Sequence, residues 1–194
     1  MARTKSHSED TQYFFEKILS QMRFKKVTRL VPKNSDVLDL GCGYHGNLLR
    51  ILESKISSGV GVDISVTKEI KSQKLRLIQH NLNQTLPFKN EKFDVVISLA
   101  NLEHLENYWG NFLEIHRVLK PGGFLLLTTP TPFAKPVLEF LSYDLKIISE
   151  KEIRDHKIYF SGKMLESYCQ ILGFSWWEHR YFQWGMNNFL KAVK

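Results

Sequence analysis

The stretch VLDLGCGYHGN, Val37–Asn47, determines the fold. Its beginning is apolar apart from Asp39, as in a buried strand, and glycines 41, 43 and 46 follow in the pattern G-x-G-x-x-G. Glycines after a strand let a ligand approach the backbone, and the N–H groups that open the next helix bind anionic groups. The stretch therefore predicts a strand, a turn and a helix that together hold part of a nucleotide or of another adenosine cofactor.

Apolar strands and amphipathic helices alternate on both sides of this stretch. A helix over Ser8–Val31, with Phe14, Phe15, Ile18, Leu19 and Met22 as its apolar stripe, is predicted before the first strand, DVLDL. The later predicted strands are SGVGVDI, LRLIQHNL, FDVVISLA and FLLLTTP, with helices at GNLLRILES and over residues 105–119, the last ended by KPGG. This alternation predicts an α/β, doubly wound, mostly parallel Rossmann-like sheet.

The C-terminal part adds one helix and two strands to this pattern. Ser161 and Gly173 are the predicted N-cap and stop of a helix over SGKMLESYCQIL. FSWWEHRYF and NNFLKAV are joined by a short connection, which permits only an antiparallel pair and brings the predicted sheet to seven strands.

The length of 194 residues is typical of one domain with a well-buried core. We therefore predict a single domain over residues 1–194. Its predicted parts are an N-terminal helix (1–33), a cofactor-binding core (34–130), a substrate cap (131–160) and a C-terminal helix with the strand pair (161–194).

The composition, 43% hydrophobic and 24% charged, is typical of a soluble globular protein. No apolar run reaches the length of a membrane span, and MARTKSHSED lacks the apolar core of a signal peptide, so a cytoplasmic protein is expected. The two cysteines, Cys42 and Cys169, have neither a disulfide framework nor a metal-ligand spacing, so no metal site is expected.

The net charge of +7 is concentrated near the N-terminus, where residues 1–33 hold eight basic and three acidic side chains. Such a patch attracts the phosphates of a sugar nucleotide, a lipid headgroup or RNA. A solvated helix face is the simpler explanation and is favoured, because aromatic residues are not interleaved with the basic ones.

Asp39 distinguishes between the two kinds of adenosine cofactor. Its charge would repel the pyrophosphate of a nicotinamide cofactor but accepts a hydrogen bond from the ammonium group of S-adenosylmethionine. Asp63 ends the second strand, twenty-two residues after Gly41, where an acid binds ribose hydroxyls in either case. The methionine-containing cofactor is therefore favoured.

A short-chain dehydrogenase is the competing hypothesis, because Tyr159 and Lys163 have the spacing Y-x-x-x-K. That chemistry requires both residues on one continuous helix, whereas Ser161 and Gly162 between them have the character of a helix start. The glycine pattern of that family, T-G-x-x-x-G-x-G, is also absent.

Five ordered motifs carry a more specific resemblance: VLDLGCGYHG, GVDIS, NLNQTLPF, KFDVVISLANLEHL and HRVLKPGGFLLLTTP. Over residues 35–130 the chain resembles the class I S-adenosylmethionine-dependent methyltransferases of the small-molecule kind, similar to methyltransferase type 11, and the C-terminal strand pair resembles that family's. The resemblance implies a methyltransferase that uses S-adenosyl-L-methionine and releases S-adenosyl-L-homocysteine.

The resemblance also implies a set of cofactor-binding residues. The glycine loop would line the methionine moiety, Asp63 the ribose, Ile64 one face of the adenine, and Ser98 and Leu99 the methyl group. Asn81 stands where the family usually has an aspartate, and its amide oxygen can still accept from the adenine amino group. The full implied set is Asp39, Gly41, Cys42, Gly43, Asp63, Ile64, Asn81, Leu82, Ser98 and Leu99.

Methyl transfer from a sulfonium needs chiefly positioning, with a general base only for a protonated acceptor such as a hydroxyl. His104, just after the fourth strand, is the first candidate for this base, and a histidine bonded to nearby backbone is an equally good interpretation of it. His156 and Tyr159 in the cap are the next candidates. Glu103 is expected to face solvent, since adjacent helical residues do not face each other.

The acceptor class is inferred from the segment after the fourth strand, which reads SLANLEH in place of the N-P-P-Y of base amino methyltransferases. This favours a small-molecule acceptor over nucleic acid. TPTPFAKPVLEFL, EIRDHKIYFS and FQWGMNNF resemble family members of bacterial surface-glycan biosynthesis, which implies a hydroxyl of a sugar or glycolipid. An RNA or protein methyltransferase and a non-catalytic cofactor-binding protein are the alternatives.

Overall fold

The computed structural model describes residues 7–145 and 147–194 and contains one seven-stranded sheet with helices on both faces. The strands, in chain order, are β1 (Asp36–Leu40), β2 (Ser58–Asp63), β3 (Leu75–Gln79), β4 (Phe93–Leu99), β5 (Leu119–Pro130), β6 (Trp176–Phe182) and β7 (Asn187–Val193). Their order across the sheet is β3-β2-β1-β4-β5-β7-β6.

The helices connect these strands and form the cap. They are α1 (His7–Thr28), α2 (Asn47–Leu52), α3 (Tyr108–Val118), α4 (Ala134–Glu139), α5 (Glu150–Arg154) and α6 (Gly162–Leu172), with a 3-10 turn at Leu102–His104 and a π-helical turn at Phe140–Asp144. Among the described residues, no helix is both long enough and apolar enough to cross a membrane.

The strand directions confirm the predicted fold class. β1 to β5 pair in parallel, β7 runs antiparallel to β5, and β6 pairs antiparallel with β7. Asp39 of β1 lies between Gly61 of β2 and Ile97 of β4. The carboxyl ends of the central strands therefore meet at one edge, where ligands bind in open α/β sheets.

Two details differ from the predicted alternation of strands and helices. Residues 64–74, which join β2 to β3, contain no helix. KPGG belongs to β5 rather than to the end of α3, and the pairing shifts from Phe93 with Leu119 to Val95 with Phe124 around it. Gly122 adopts a φ of 75° in this irregularity, a conformation that glycine reaches at little cost.

Two apolar cores lie on opposite faces of the sheet. α3 and α6 cover one face, where Phe112, Phe160 and Leu165 are fully buried. α2 and the C-terminal end of α1 cover the other, through Leu49 and Val27 among others. Alternate residues of β1 and β4 point into each core, as expected for strands that are covered on both faces.

The N-terminal helix ends at Thr28, earlier than the predicted Val31. Of its predicted apolar stripe, Ile18 and Met22 are exposed, whereas the side chains of Phe14 and Phe15 lie outside the described residues. Val27 and Val31 are the buried anchors of this segment. The helix therefore packs on the sheet through its C-terminal end, and its preceding turns extend towards the carboxyl edge.

We expect Phe112→Ala to destabilise the fold by about 3–5 kcal/mol, because the side chain is fully buried in α3 and its loss leaves a cavity. Leu113→Ala, the next residue on the same helix, is the matched control. Leu113 is 46% exposed, so its truncation should change the free energy of unfolding by less than about 1 kcal/mol. Urea unfolding of both variants measures the difference, and equal effects would contradict the assignment of this face to the core.

Candidate active site

A cleft of about 240 Å³ lies at the carboxyl edge of the sheet, beside the end of β1. Five of the predicted cofactor-binding residues line it: Asp39, Gly41, Cys42, Gly43 and Leu99. The start of α2 contributes Asn47 and Leu48, and α1 contributes Ser20, Arg23 and Phe24. The sequence of α1 did not predict that this helix lines the cleft, because a polar residue that faces a cleft and one that faces solvent look alike in sequence.

The glycine loop is held in a conformation that requires glycine. Gly41, Gly43 and Gly46 have φ values of 73°, 71° and 61°, in the left-handed region. A Cβ on Gly41 would lie 2.6 Å from Cγ of Asn101, so this close approach excludes any side chain. The Gly43 amide donates to Oδ2 of Asp63 at 2.9 Å, which ties the loop to the end of β2.

Two carboxyl groups and one thiol lie at the base of the loop. Asp39 is buried, and burial together with the nearby charge of Asp63 raises its pKa to about 7. Burial also raises the pKa of the Cys42 thiol well above its usual range. Asp39 is thus poised to ionise when a cation arrives, while Cys42 stays a neutral thiol that packs beside the loop.

The residues implied for adenine lie at the ends of β2 and β3. Ile64 is 63% exposed and follows Asp63 directly, so its side chain is available to a flat ring. Asn81 accepts from the Asn83 amide through Oδ1, at 3.0 Å, and that oxygen keeps a second lone pair. Leu82 is buried, with its carbonyl accepting from Nδ2 of Asn111. β2 and β3 lie on the same side of β1 in the sheet, so these residues share one side of the glycine loop.

The turn after β4 directs polar side chains to the same edge. Ser98 is buried at the end of the strand, and Ala100 adopts a φ of 49°, which is unusual for a residue with a Cβ. The Ala100 amide donates to the Thr128 carbonyl of β5 at 2.9 Å, which supports this conformation. The chain then turns into the 3-10 turn at Leu102–His104. An unusual backbone conformation such as that of Ala100 is often found at functional sites.

A polar cluster, comprising Glu103, His104, Asp155, His156 and Tyr159, forms where the cap meets this turn. Nδ1 of His104 lies 3.2 Å from Oδ2 of Asp155, and Nδ1 of His156 lies 3.0 Å from the Tyr159 hydroxyl. The two imidazole rings are 4.8 Å apart, edge to face. All three predicted catalytic candidates are therefore brought together, although they come from two distant segments.

A backbone hydrogen bond fixes this meeting of cap and turn. The Lys157 amide donates to the Glu103 carbonyl at 2.7 Å, so the segment after α5 lies directly against the 3-10 turn. Sequence reasoning did not find Asp155 as the partner of His104. The contact depends on how the cap folds back, and no spacing in the sequence encodes it.

The expectation that Glu103 faces solvent is wrong. The side chain is 1% exposed, and its Oε2 accepts from the Thr129 hydroxyl of β5 at 3.1 Å. Burial raises the pKa of this carboxyl, with the charges of His104 and Arg23 acting in the opposite direction. A 3-10 turn in place of the expected helix points Glu103 inward, towards the sheet.

His156 and Tyr159 are both held in their neutral forms at neutral pH. Burial lowers the pKa of His156 to about 4, with the neighbouring His104 charge as a second cause. Burial likewise raises the pKa of Tyr159 to about 12. A neutral imidazole and a protonated phenol can each accept or donate one hydrogen bond toward an incoming polar group.

The dehydrogenase hypothesis fails on geometry. Tyr159 precedes α6, and Ser161 caps that helix by accepting from the Met164 amide at 3.3 Å. Lys163 is inside the first turn of the helix, so the two residues do not share one continuous helix. The Tyr159 hydroxyl is bonded to His156 instead.

A family model described as a methyltransferase domain matches residues 10–179. The chain belongs to this methyltransferase family. S-adenosylmethionine is the family's cofactor, and a Mycolicibacterium smegmatis relative, 32% identical over 98 residues, is named as a probable S-adenosylmethionine-dependent methyltransferase. That alignment covers 49% of this chain and 38% of the relative.

Two further comparisons define the range of the similarity. A phthiotriol/phenolphthiotriol dimycocerosates methyltransferase of Mycobacterium ulcerans is 30% identical over 148 residues, which is 68% of this chain and 52% of that protein. A solved complex of the Haloferax volcanii Trm112 methyltransferase activator with a putative methyltransferase matches with a TM-score of 0.72 and 16% identity, over 99% of both chains, which shows the shared fold. This chain spans 25% of the length of one curated relative that it matches and 67% of another.

Proposed function

We propose that the protein transfers a methyl group from S-adenosylmethionine to a hydroxyl group of a small-molecule acceptor, such as a sugar or glycolipid. The observation that carries the proposal is the polar cluster, which places two histidines beside the turn that also touches the glycine loop through Asn101. A hydroxyl must lose its proton during methylation, and an imidazole is the side chain best suited to accept it near neutral pH.

The cofactor end of the site follows from charge and shape. S-adenosylmethionine carries an ammonium, a carboxylate and a sulfonium, and the buried Asp39 would accept from the ammonium. Amides of the glycine loop would face the carboxylate. Asp63, at the end of β2, would bind the ribose hydroxyls, while Ile64, Asn81 and Leu82 would contact the adenine.

The acceptor end is the cap. In the proposed reaction, the acceptor oxygen attacks the methyl carbon, the carbon–sulfur bond breaks, and its electron pair stays on sulfur in neutral S-adenosylhomocysteine. The hydroxyl proton passes to His104, and the Asp155 carboxylate at 3.2 Å stabilises the imidazolium that forms. His156 and Tyr159 would orient the acceptor through hydrogen bonds.

A small-molecule acceptor is also supported by a relative's name. The Mycobacterium ulcerans relative is named as a phthiotriol/phenolphthiotriol dimycocerosates methyltransferase, and the ending -triol denotes three hydroxyl groups. The apolar side chains exposed on the cap, Phe133, Phe140 and Leu145, would suit an acceptor with an apolar portion.

An acceptor screen with methyl-labelled S-adenosylmethionine tests the proposal. Sugar nucleotides, glycolipid precursors, transfer RNA and an unrelated protein are supplied separately, with Asp63→Ala as the control for cofactor-dependent transfer. We expect label in a sugar or glycolipid as a base-stable methyl ether. Label in the RNA or protein, or in a base-labile methyl ester, would contradict it.

The pKa of Asp39 predicts that cofactor binding depends on pH. In the free protein the group is protonated below about pH 7, and a bound ammonium favours the ionised form, so binding releases a proton. Affinity for S-adenosylhomocysteine should therefore rise roughly tenfold from pH 6 to pH 8. In Asp39→Asn this rise should disappear, and calorimetric titration of both proteins at the two pH values measures it. An equal pH dependence in both would exclude Asp39 as its source.

A further inference from the structure

We propose that Glu103, His104 and His156 bind a divalent transition-metal ion, such as Zn²⁺ or Mn²⁺. One potential ligand atom from each residue lies within 4.8 Å of the corresponding atoms of the other two. Two imidazoles and one carboxylate form a donor set that suits these ions, and three protein ligands leave coordination positions for water or substrate. The sequence did not predict this site, because its ligands are not cysteines and the two histidines are more than 50 residues apart.

Each of the two histidines already uses one ring nitrogen in a hydrogen bond to a neighbouring side chain. Nδ1 of His104 is directed at the Asp155 carboxylate, and Nδ1 of His156 at the Tyr159 hydroxyl. In the proposed site, Nε2 is the nitrogen that each ring would offer to the ion. Histidine ligands in metal sites generally use their second nitrogen for such a bond to a carboxylate or another acceptor, which fixes the ring orientation.

Glu103 would supply the negative charge of the metal-bound site from a buried position. Its carboxylate is fixed by the hydrogen bond from Thr129, at 3.1 Å, and keeps further lone pairs for an ion. The residue is only 1% exposed, and burial of a charge is costly unless it is paired or coordinates a metal. Its backbone is held against the cap through Lys157, so the carboxylate and His156 keep their relative positions.

The metal site deepens the proposed function, and its role in catalysis rests on that function. An ion held here would bind the acceptor hydroxyl directly and favour its ionised form. The resulting alkoxide attacks the methyl carbon, the electron pair of the carbon–sulfur bond stays on sulfur, and the hydroxyl proton leaves to solvent. His104 is then a ligand, and the ion replaces its imidazole as the group that activates the acceptor.

Binding of Co²⁺ and Zn²⁺ to the chelator-treated 194-residue chain tests the site without any acceptor. We expect one Co²⁺ per chain, with the visible absorption of a low-coordinate cobalt site, and its displacement by one Zn²⁺. Glu103→Gln and His156→Gln should each weaken binding at least tenfold, whereas His80→Gln, which changes a histidine outside the cluster, should leave it unchanged. Circular dichroism verifies that each variant is folded.

Absence of binding to the wild type, or equal binding by the wild type and the folded Glu103→Gln and His156→Gln variants, would overturn the metal site. The two proposals fail separately. If methyl ether formation is unaffected by chelator, the proposed function stands with His104 as the base, and the ion has no role in catalysis. Stoichiometric ion binding that is lost in both variants, with label found only in RNA, would leave the metal site standing and would contradict the small-molecule acceptor.

Discussion

His104→Gln should lower the turnover number for a hydroxyl acceptor by about 10²- to 10⁴-fold, the usual contribution of a positioned proton acceptor. Glutamine keeps a similar length and polarity but neither accepts a proton at neutral pH nor replaces an imidazole as a metal ligand. The loss is therefore expected whether His104 acts as the base or holds the ion. Initial rates of methyl transfer, at saturating cofactor and acceptor, measure the effect.

Two companion measurements make this result specific. The affinity of His104→Gln for S-adenosylhomocysteine should equal that of the wild type, because the polar cluster is proposed to face the acceptor. Asp155→Asn should give a smaller loss of turnover, since Asp155 acts only through His104 and is 57% exposed. If His104→Gln keeps the wild-type turnover, this histidine has no role in the mechanism. If the variant loses affinity for the cofactor as well as turnover, His104 belongs to the cofactor site.

Asp63→Ala should weaken binding of S-adenosylhomocysteine by about 10²-fold or more. Hydrogen bonds to a charged group contribute roughly 1.5–3 kcal/mol each, and a carboxylate at the end of β2 would accept from both ribose hydroxyls. The variant also loses the 2.9 Å bond from the Gly43 amide, which holds the glycine loop. Isothermal titration calorimetry of the folded variant measures the change.

Asp63→Asn separates these two contributions. The asparagine oxygen can still accept from the Gly43 amide, so the loop is kept while the charge is lost, and a smaller decrease of about tenfold is expected. Glu69→Ala removes an exposed acid from the same connection and should leave the affinity unchanged. Wild-type affinity in Asp63→Ala would show that the ribose binds elsewhere.

The sheet could be predicted from sequence because local signals decide it. Apolar strands on either side of a glycine loop, and the short link between β6 and β7, determine strand pairing almost without reference to the rest of the chain. The lack of a helix in residues 64–74 could not be predicted, because the motifs specify strand ends and leave this connection open. The structure brings Asp63, at the end of β2, into a hydrogen bond with the glycine loop, a contact between residues 20 apart in the chain.

The acceptor side could be predicted only as candidates. His104, His156 and Tyr159 were each identified by residue type, but their contact depends on the Lys157 amide meeting the Glu103 carbonyl, a long-range bond. The burial of Glu103 depends on Thr129 of a neighbouring strand. Such tertiary contacts leave no periodicity in the sequence, and this is why Asp155 was missed and Glu103 was assigned to solvent.

Thermal unfolding of the protein with S-adenosylmethionine, S-adenosylhomocysteine or NADPH tests the central claim, that the glycine-loop cleft binds a methionine-containing adenosine cofactor. A ligand that binds only the folded state raises the midpoint, by roughly 5–10 °C at a hundredfold excess over its Kd. Both sulfur cofactors should give this shift in the wild type and lose it in Asp63→Ala, while NADPH should give none. A shift with NADPH and none with the sulfur cofactors would contradict the account.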